Sequence, residues 1–300
     1  MLGQFRRALR WRSPNQPDRL PDDIRRNLDY KGTFDYLELA ACCTTVNQFN
    51  RLHIDLENVL TPLEIAEIGM ASNLPKASVA WLERLRSLCP EVFTAPQHFE
   101  RRVLNAHVTG YESHDVSKGN KSLLLSFCGN AQRLMMPVSI FLQFVDCRKW
   151  DVVVVKKSKG TSYMDGLDGV GVNFTSTTDY LKAAIAPAQY RRLVTLGTSG
   201  GGFPAILAAI SMGADRGISV GGSSPRSFVP DKALAQNERP KRDLRFVHGA
   251  GCISDRESAM SMAMQFGGRV HEVGEANQHN VLKPLLRRGL LADFLSAIIS

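Results

Sequence analysis

The sequence predicts an α/β protein with a mostly parallel sheet flanked by helices, preceded by an N-terminal helical extension. Three observations point there. After Pro96, short apolar runs alternate with stretches of helical periodicity, the pattern of strands joined by helical crossovers. Val152-Val153-Val154-Val155 is β-branched throughout and lacks polar alternation, as a strand covered on both faces requires. Val194 to Leu207 reads as an apolar strand, a glycine-rich turn and a helix. At 300 residues, 44% hydrophobic and 22% charged, the chain has room for one large domain plus an extension, and the composition excludes disorder throughout.

Residues 1 to 32 carry Arg6, Arg7, Arg10, Arg12, Arg19, Arg25 and Arg26 with Pro14, Pro17 and Pro21 between them. A basic arm is expected, in which Phe5, Leu9 and Trp11 could make weak contact with an anionic surface. Residues 33 to 90 are helical in pattern. Tyr36, Leu39, Ala40, Cys43 and Val46 share one face, and Trp81, Leu82, Leu85, Leu88 and Cys89 share another. Between them Thr61-Pro62-Leu63-Glu64 is a capping box with proline at the first helical position, and Leu60 is placed to staple onto Ile65. The division expected is residues 1–99 as arm and helical extension, and 100–300 as the α/β domain.

Within 100–300 the expected strands are Arg102 to His107, Ser122 to Phe127, Asp151 to Lys156, Arg192 to Leu196, Gly217 to Val220, Leu244 to His248 and Arg269 to Val273. Helices are expected near Pro137 to Phe144, Ser176 to Ile185, Gly202 to Met212, Asp231 to Ala235, Glu257 to Phe266 and Val281 to Ile299.

The net charge of +8, from 37 basic and 29 acidic residues, is modest, and no aromatic-interleaved basic run supports nucleic-acid binding. Six cysteines (Cys42, Cys43, Cys89, Cys128, Cys147, Cys252) show no C-x-x-C spacing, so neither a metal site nor a redox pair is expected, and no organic cofactor is implied. No signal-like apolar run follows the N-terminal arginines, and nowhere do 18 apolar residues run together. A cytoplasmic protein is expected.

Gly197-Thr198-Ser199-Gly200-Gly201 matches G-x-S-x-G, which sets a serine on a tight turn where the flanking positions have little room for side chains. The pentapeptide alone arises by chance; its partners decide. A serine hydroxyl needs a base in reach, and the base an orienting group. Of seven histidines only His248, His271 and His279 follow Ser199. His248 closes an expected strand and His271 lies inside one, whereas His279 sits in the polar loop Gly274 to Asn280. Asp255, between strand and helix, is the expected acid, with Glu257 and Glu275 as lesser candidates and an N-cap role as the plain alternative. For the oxyanion, the backbone N–H of Gly200 and that of Asn130, in the turn Cys128-Gly129-Asn130, are the expected donors. Cys128 is expected to be packed rather than reactive.

These pieces resemble the α/β-hydrolase superfamily over about residues 100 to 300: the elbow at Ser199, the Cys128-Gly129-Asn130 turn, the segment from Val247-His248-Gly249 to Asp255, and His279 before the last helix. The resemblance implies an eight-stranded, mostly parallel sheet and a Ser–His–Asp triad. Two departures stand out. The oxyanion turn lacks the family's usual histidine, and Pro204 lies early in the helix after the nucleophile, tolerable in a first turn. A phosphate-binding loop is the competing reading of the elbow, but no lysine follows and the glycines are not spaced G-x-G-x-x-G. The expected function is a serine hydrolase, or an acyltransferase, acting on an ester-like bond of a small-molecule or acylated substrate. Thioester and peptide cleavage share that chemistry. The alternative is a non-catalytic member of the fold serving as a binding or scaffold protein. Residues 223 to 242 and 160 to 174, with the N-terminal helices, are expected to shape specificity.

Overall fold

The computed structural model describes residues 32–158, 160–224 and 243–300. The basic arm and the expected helix at Asp231 to Ala235 lie outside the described residues. The chain divides into two compact units. The first reaches His98 and includes Val138–Gln143; the second comprises Phe99–Pro137 and Phe144–Ser300.

The first unit is helical: α1 (Gly32–Cys42), α2 (Val46–Glu57), α3 (Pro62–Gly69), α4 (Lys76–Leu88), α5 (Glu91–Thr94) and α6 (Val138–Gln143). Both α2 and α3 begin in capping boxes, Thr45 with Gln48 and Thr61 with Glu64, so their first N–H groups are satisfied by side chains. The core holds an aromatic stack in which the His53 and Trp81 rings lie parallel, 4.4 Å apart, and the Tyr36 hydroxyl is hydrogen-bonded to His53 Nε2 at 3.0 Å. Burial, helped by the nearby Arg84 guanidinium, pulls the His53 pKa down to about 4. Val46, expected on the face of Tyr36 and Cys43, is instead 71% exposed. Residues Cys43 to Thr45 break the helix, and Val46 starts α2 on its solvent side.

The second unit is built on one eight-stranded sheet in the order β1-β2-β4-β3-β5-β6-β7-β8. Its strands are β1 (Glu100–Val103), β2 (Val108–Glu112), β3 (Ser122–Phe127), β4 (Trp150–Val155), β5 (Arg192–Thr198), β6 (Arg216–Val220), β7 (Asp243–Gly249) and β8 (Arg269–Val273). Neighbours from β4 to β8 pair in parallel, while β2 runs against both β1 and β4. Helices α7 (Phe174–Ile185), α8 (Gly202–Met212), α9 (Ile253–Phe266), α10 (Leu282–Arg287) and α11 (Leu291–Ile299) complete the unit. Val152 to Val155 are all buried, as the unbroken β-branched run predicts.

Three elements differ from the sequence reading. The expected strand Arg102 to His107 is the end of β1 plus a turn, and the chain returns antiparallel as β2. Asn105 makes that turn, its side-chain Oδ1 accepting from the N–H groups of His107 and Val108. Helix α9 begins at Ile253 rather than near Glu257, because the backbone already winds at Cys252, whose carbonyl accepts from Arg256 N–H. The expected helix Val281 to Ile299 is two helices, broken at Gly289 with φ +70°.

At the N-terminal ends of β3 and β4, Lys121 and Asp151 form an ion pair in which each side chain is only 1% exposed. Tyr190 O–H (2.9 Å) and Ser113 N–H (3.2 Å) also donate to the Asp151 carboxylate, so the buried charges are fully engaged.

Candidate active site

The parallel strands put the ends of β3, β5, β6 and β7 side by side, with Phe127 in register with Gly197 and Thr198 with Val220. The carboxyl ends of such strands are where an open α/β sheet leaves a crevice. All candidate residues lie in the second unit.

At the end of β5 the chain turns through Ser199 with φ +52°, a left-handed conformation that a non-glycine residue holds only under strain. Two glycines make the turn possible. A Cβ on Gly197 would stand 1.9 Å from the Gly201 carbonyl oxygen, and one on Gly201 would stand 2.2 Å from that of Phe127. Both obstacles are backbone and cannot swing aside. After a short 3-10 turn the chain enters α8, with Pro204 in its first turn.

His279 Nε2 lies 2.9 Å from Ser199 Oγ, and His279 Nδ1 lies 2.8 Å from Asp255 Oδ2. Asp255 is 11% exposed and sits in the first turn of α9, not in the loop before it. A carboxylate there is favoured by the helix N-terminus. The His279 side chain is 51% exposed to solvent. The Asp255 carboxylate and the Ser199 hydroxyl thus stand at opposite ring nitrogens of His279. Glu257 and Glu275 make no hydrogen bond to His279 among the described residues; Asp255 holds that position. His248 is buried at the end of β7, its Nδ1 3.1 Å from the Gly249 carbonyl, and His271 lies within β8.

The loop after β3 comes back over the elbow. Gly129 N–H donates to Arg133 O, and Gln132 N–H to Gly129 O, while the Asn130 and Ala131 N–H groups between them are taken up by no backbone carbonyl among the described residues. The Asn130 side chain lies against Gly200, where a Cβ would meet its Oδ1 at 2.6 Å. The two expected oxyanion donors therefore belong to adjoining residues. Cys128 is wholly buried, which pushes its thiol up to about 12, consistent with a packed group.

Two residues that hold this arrangement escaped the sequence reading. Tyr163 O–H lies 2.9 Å from both the Cys128 and the Val155 carbonyls, tying the exits of β3 and β4 together. Asn280, next to His279, donates from Nδ2 to Met135 O at 2.7 Å and accepts at Oδ1 from Lys283 N–H at 3.0 Å. It thereby fastens the His279 loop to the loop after β3 and satisfies an N–H in the first turn of α10. Its position just before a helix was a local signal for the cap; nothing local marked the reach to Met135.

The sheet order, the single reversed strand β2 and the sharp turn leaving β5 are the architecture that the motifs resembled: the chain has the α/β-hydrolase fold. Among solved structures it is similar to a predicted CIB-like hydrolase from Thermoplasma acidophilum, at 17% identity over 67% of this chain and 98% of that one, with a TM-score of 0.44. It is similar also to Est1E from Butyrivibrio proteoclasticus (12% identity, 67% and 98% covered, TM-score 0.43) and to the bottromycin epimerase BotH (11%, 68% and 100%, 0.44). No family model and no curated protein matches the sequence. Folds of this kind host more than one chemistry, so the reaction has to be read from the side chains.

Proposed function

We propose that the protein is a serine hydrolase, or an acyltransferase, that opens an ester-like bond through an acyl-enzyme on Ser199. The observation that carries this reading is the unbroken chain of contacts from Ser199 Oγ to His279 Nε2 (2.9 Å) and from His279 Nδ1 to Asp255 Oδ2 (2.8 Å), beginning at a serine held at φ +52°. His279 takes the serine proton as Oγ attacks the carbonyl carbon. The tetrahedral oxyanion that forms is held by the N–H groups of Gly200 and Asn130. Asp255 stabilises the imidazolium, which then gives its proton to the leaving group. Water, or an acceptor hydroxyl, deprotonated by the same imidazole, resolves the acyl-enzyme and frees Ser199.

The substrate is a small or acylated molecule entering from the solvent side of His279. Thioesters fall within the same chemistry. A cytoplasmic setting, in which the six cysteines stay reduced, is part of the same reading. A panel of chromogenic esters and thioesters, run with wild type and Ser199→Ala, tests it. At least one substrate should turn over with a pre-steady-state burst in wild type and none in the variant; equal rates in the two proteins would refute it.

A further inference from the structure

We propose that Cys252, Asp255 and His279 form a site for a thiophilic divalent cation, with zinc as the representative ion, and that filling it switches the hydrolase off. The inhibitory consequence rests on the function proposed above, whereas the binding does not.

The thiol sulfur of Cys252, a carboxylate oxygen of Asp255 and a ring nitrogen of His279 lie within 4.8 Å of one another. Sulfur, nitrogen and oxygen donors in this combination suit zinc, and three protein ligands leave a fourth position for water. Around one tetrahedral zinc, ligand atoms stand roughly 3.3–3.8 Å apart, given metal–ligand bonds of about 2.0–2.3 Å. The sulfur must therefore draw in by up to about an ångström, and the 2.8 Å contact between His279 Nδ1 and Asp255 Oδ2 must open by about half of one. Both moves are small for the groups concerned. His279 is half exposed on a loop, and Cys252 precedes α9, three residues before Asp255, so the two side chains leave the same side of the first turn.

Cys252 has no part in the hydrolytic chemistry. Its sulfur is half-buried beside the triad acid and makes one long contact, 3.6 Å, to Ser254 Oγ. Coordination would release the thiol proton to solvent and fill the Nδ1 lone pair of His279, so that the neutral ring carries its proton on Nε2. Nε2 then faces Ser199 Oγ as a donor and cannot accept the serine proton. The cation also occupies the carboxylate that would stabilise an imidazolium. Catalysis stops without any change in the nucleophile.

The test measures zinc binding directly, by competition with a chromophoric chelator, on the full chain of wild type, Ser199→Ala, Cys252→Ala and Cys252→Ser. Ester hydrolysis is followed in parallel. Wild type and Ser199→Ala should share a zinc equivalent that both Cys252 variants bind at least about tenfold more weakly, a floor set by what even outer-shell changes cost. Without zinc the Cys252 variants should hydrolyse ester like wild type, and they should resist zinc concentrations that silence it; magnesium, a hard cation, should do nothing. Zinc affinity unchanged by loss of the Cys252 thiol, or no zinc taken from the chelator by wild type, overturns the site. Cysteine-dependent zinc binding by a protein that turns over none of the esters and thioesters of the panel would uphold the site while removing the proposed function, so the two failures are told apart.

Discussion

At the scale of single residues, the three side chains do separable things, and each can be removed alone. Asp255→Asn replaces an acceptor with a group that can donate to Nδ1 and so favours the wrong tautomer of His279. The expected result is a fall in kcat on the order of 10⁴-fold with KM little changed, read in the chromogenic ester assay. The glycines of the elbow divide in the same way. Gly197→Ala would drive a Cβ to 1.9 Å from a backbone oxygen, so this variant should fail to give folded protein, as judged by circular dichroism and gel filtration. Gly200→Ala meets only the movable end of the Asn130 side chain, at 2.6 Å. It should fold, yet lose about 10- to 100-fold in kcat, because it pushes aside Asn130, one of the two proposed oxyanion donors. The meeting of Ser199, Asp255 and His279 was legible in the sequence because each follows a recognisable strand and their chain order is fixed by the fold. Tyr163 and Asn280 were not legible. The carbonyls that tie them across the site, those of Cys128 and Met135, lie 35 and 145 residues away, and only the closed sheet brings them together.

At the scale of elements, the core strands were readable wherever burial on both faces leaves an unbroken apolar run, as in β3, β4 and β5. The edge was not. β1 and β2 form a hairpin turned by the side chain of Asn105, and β2 carries Gly110 and Thr109, which dilute its pattern. The start of α9 was missed for a similar reason. Cys252 has no capping side chain to advertise the beginning of α9, whereas Thr61 and Glu64 advertised α3. The loop between β8 and α10 offers the sharpest test at this level. Asn280→Asp keeps the oxygen that caps α10 but loses the N–H that holds Met135 O; Asn280→Ser also keeps a capping oxygen without adding charge. In both, kcat should drop about 10- to 100-fold, the penalty of a base displaced by a fraction of an ångström to an ångström, while the thermal midpoint moves by no more than a few degrees. A large loss of midpoint with kcat preserved would instead make Asn280 a purely structural cap.

At the scale of the whole molecule, the α/β-hydrolase fold brings the Ser199 turn, the turn after β3 and the start of α9 to the ends of neighbouring parallel strands, so the candidate site follows from sheet order more than from any one motif. The helical unit contributes a pH dependence of its own. His53 is held at about 4 in the fold against about 6.5 when unfolded, so between those values the unfolded chain binds more protons. Stability is therefore fully present above about pH 6.5 and is lost as pH falls toward 4, by up to about 3 kcal/mol from this residue. The urea midpoint of the wild type should fall between pH 7 and pH 5, and His53→Gln, which can still accept from the Tyr36 hydroxyl, should flatten that fall. The central claim, that Ser199 is a nucleophile activated by His279, is tested most directly by labelling with a fluorophosphonate and mapping the adduct by mass spectrometry. The account predicts one adduct, on Ser199, formed rapidly in wild type and at least about 10³-fold more slowly in a folded His279→Ala variant. A folded wild type whose Ser199 stays unlabelled, or is labelled as fast without His279, would contradict it.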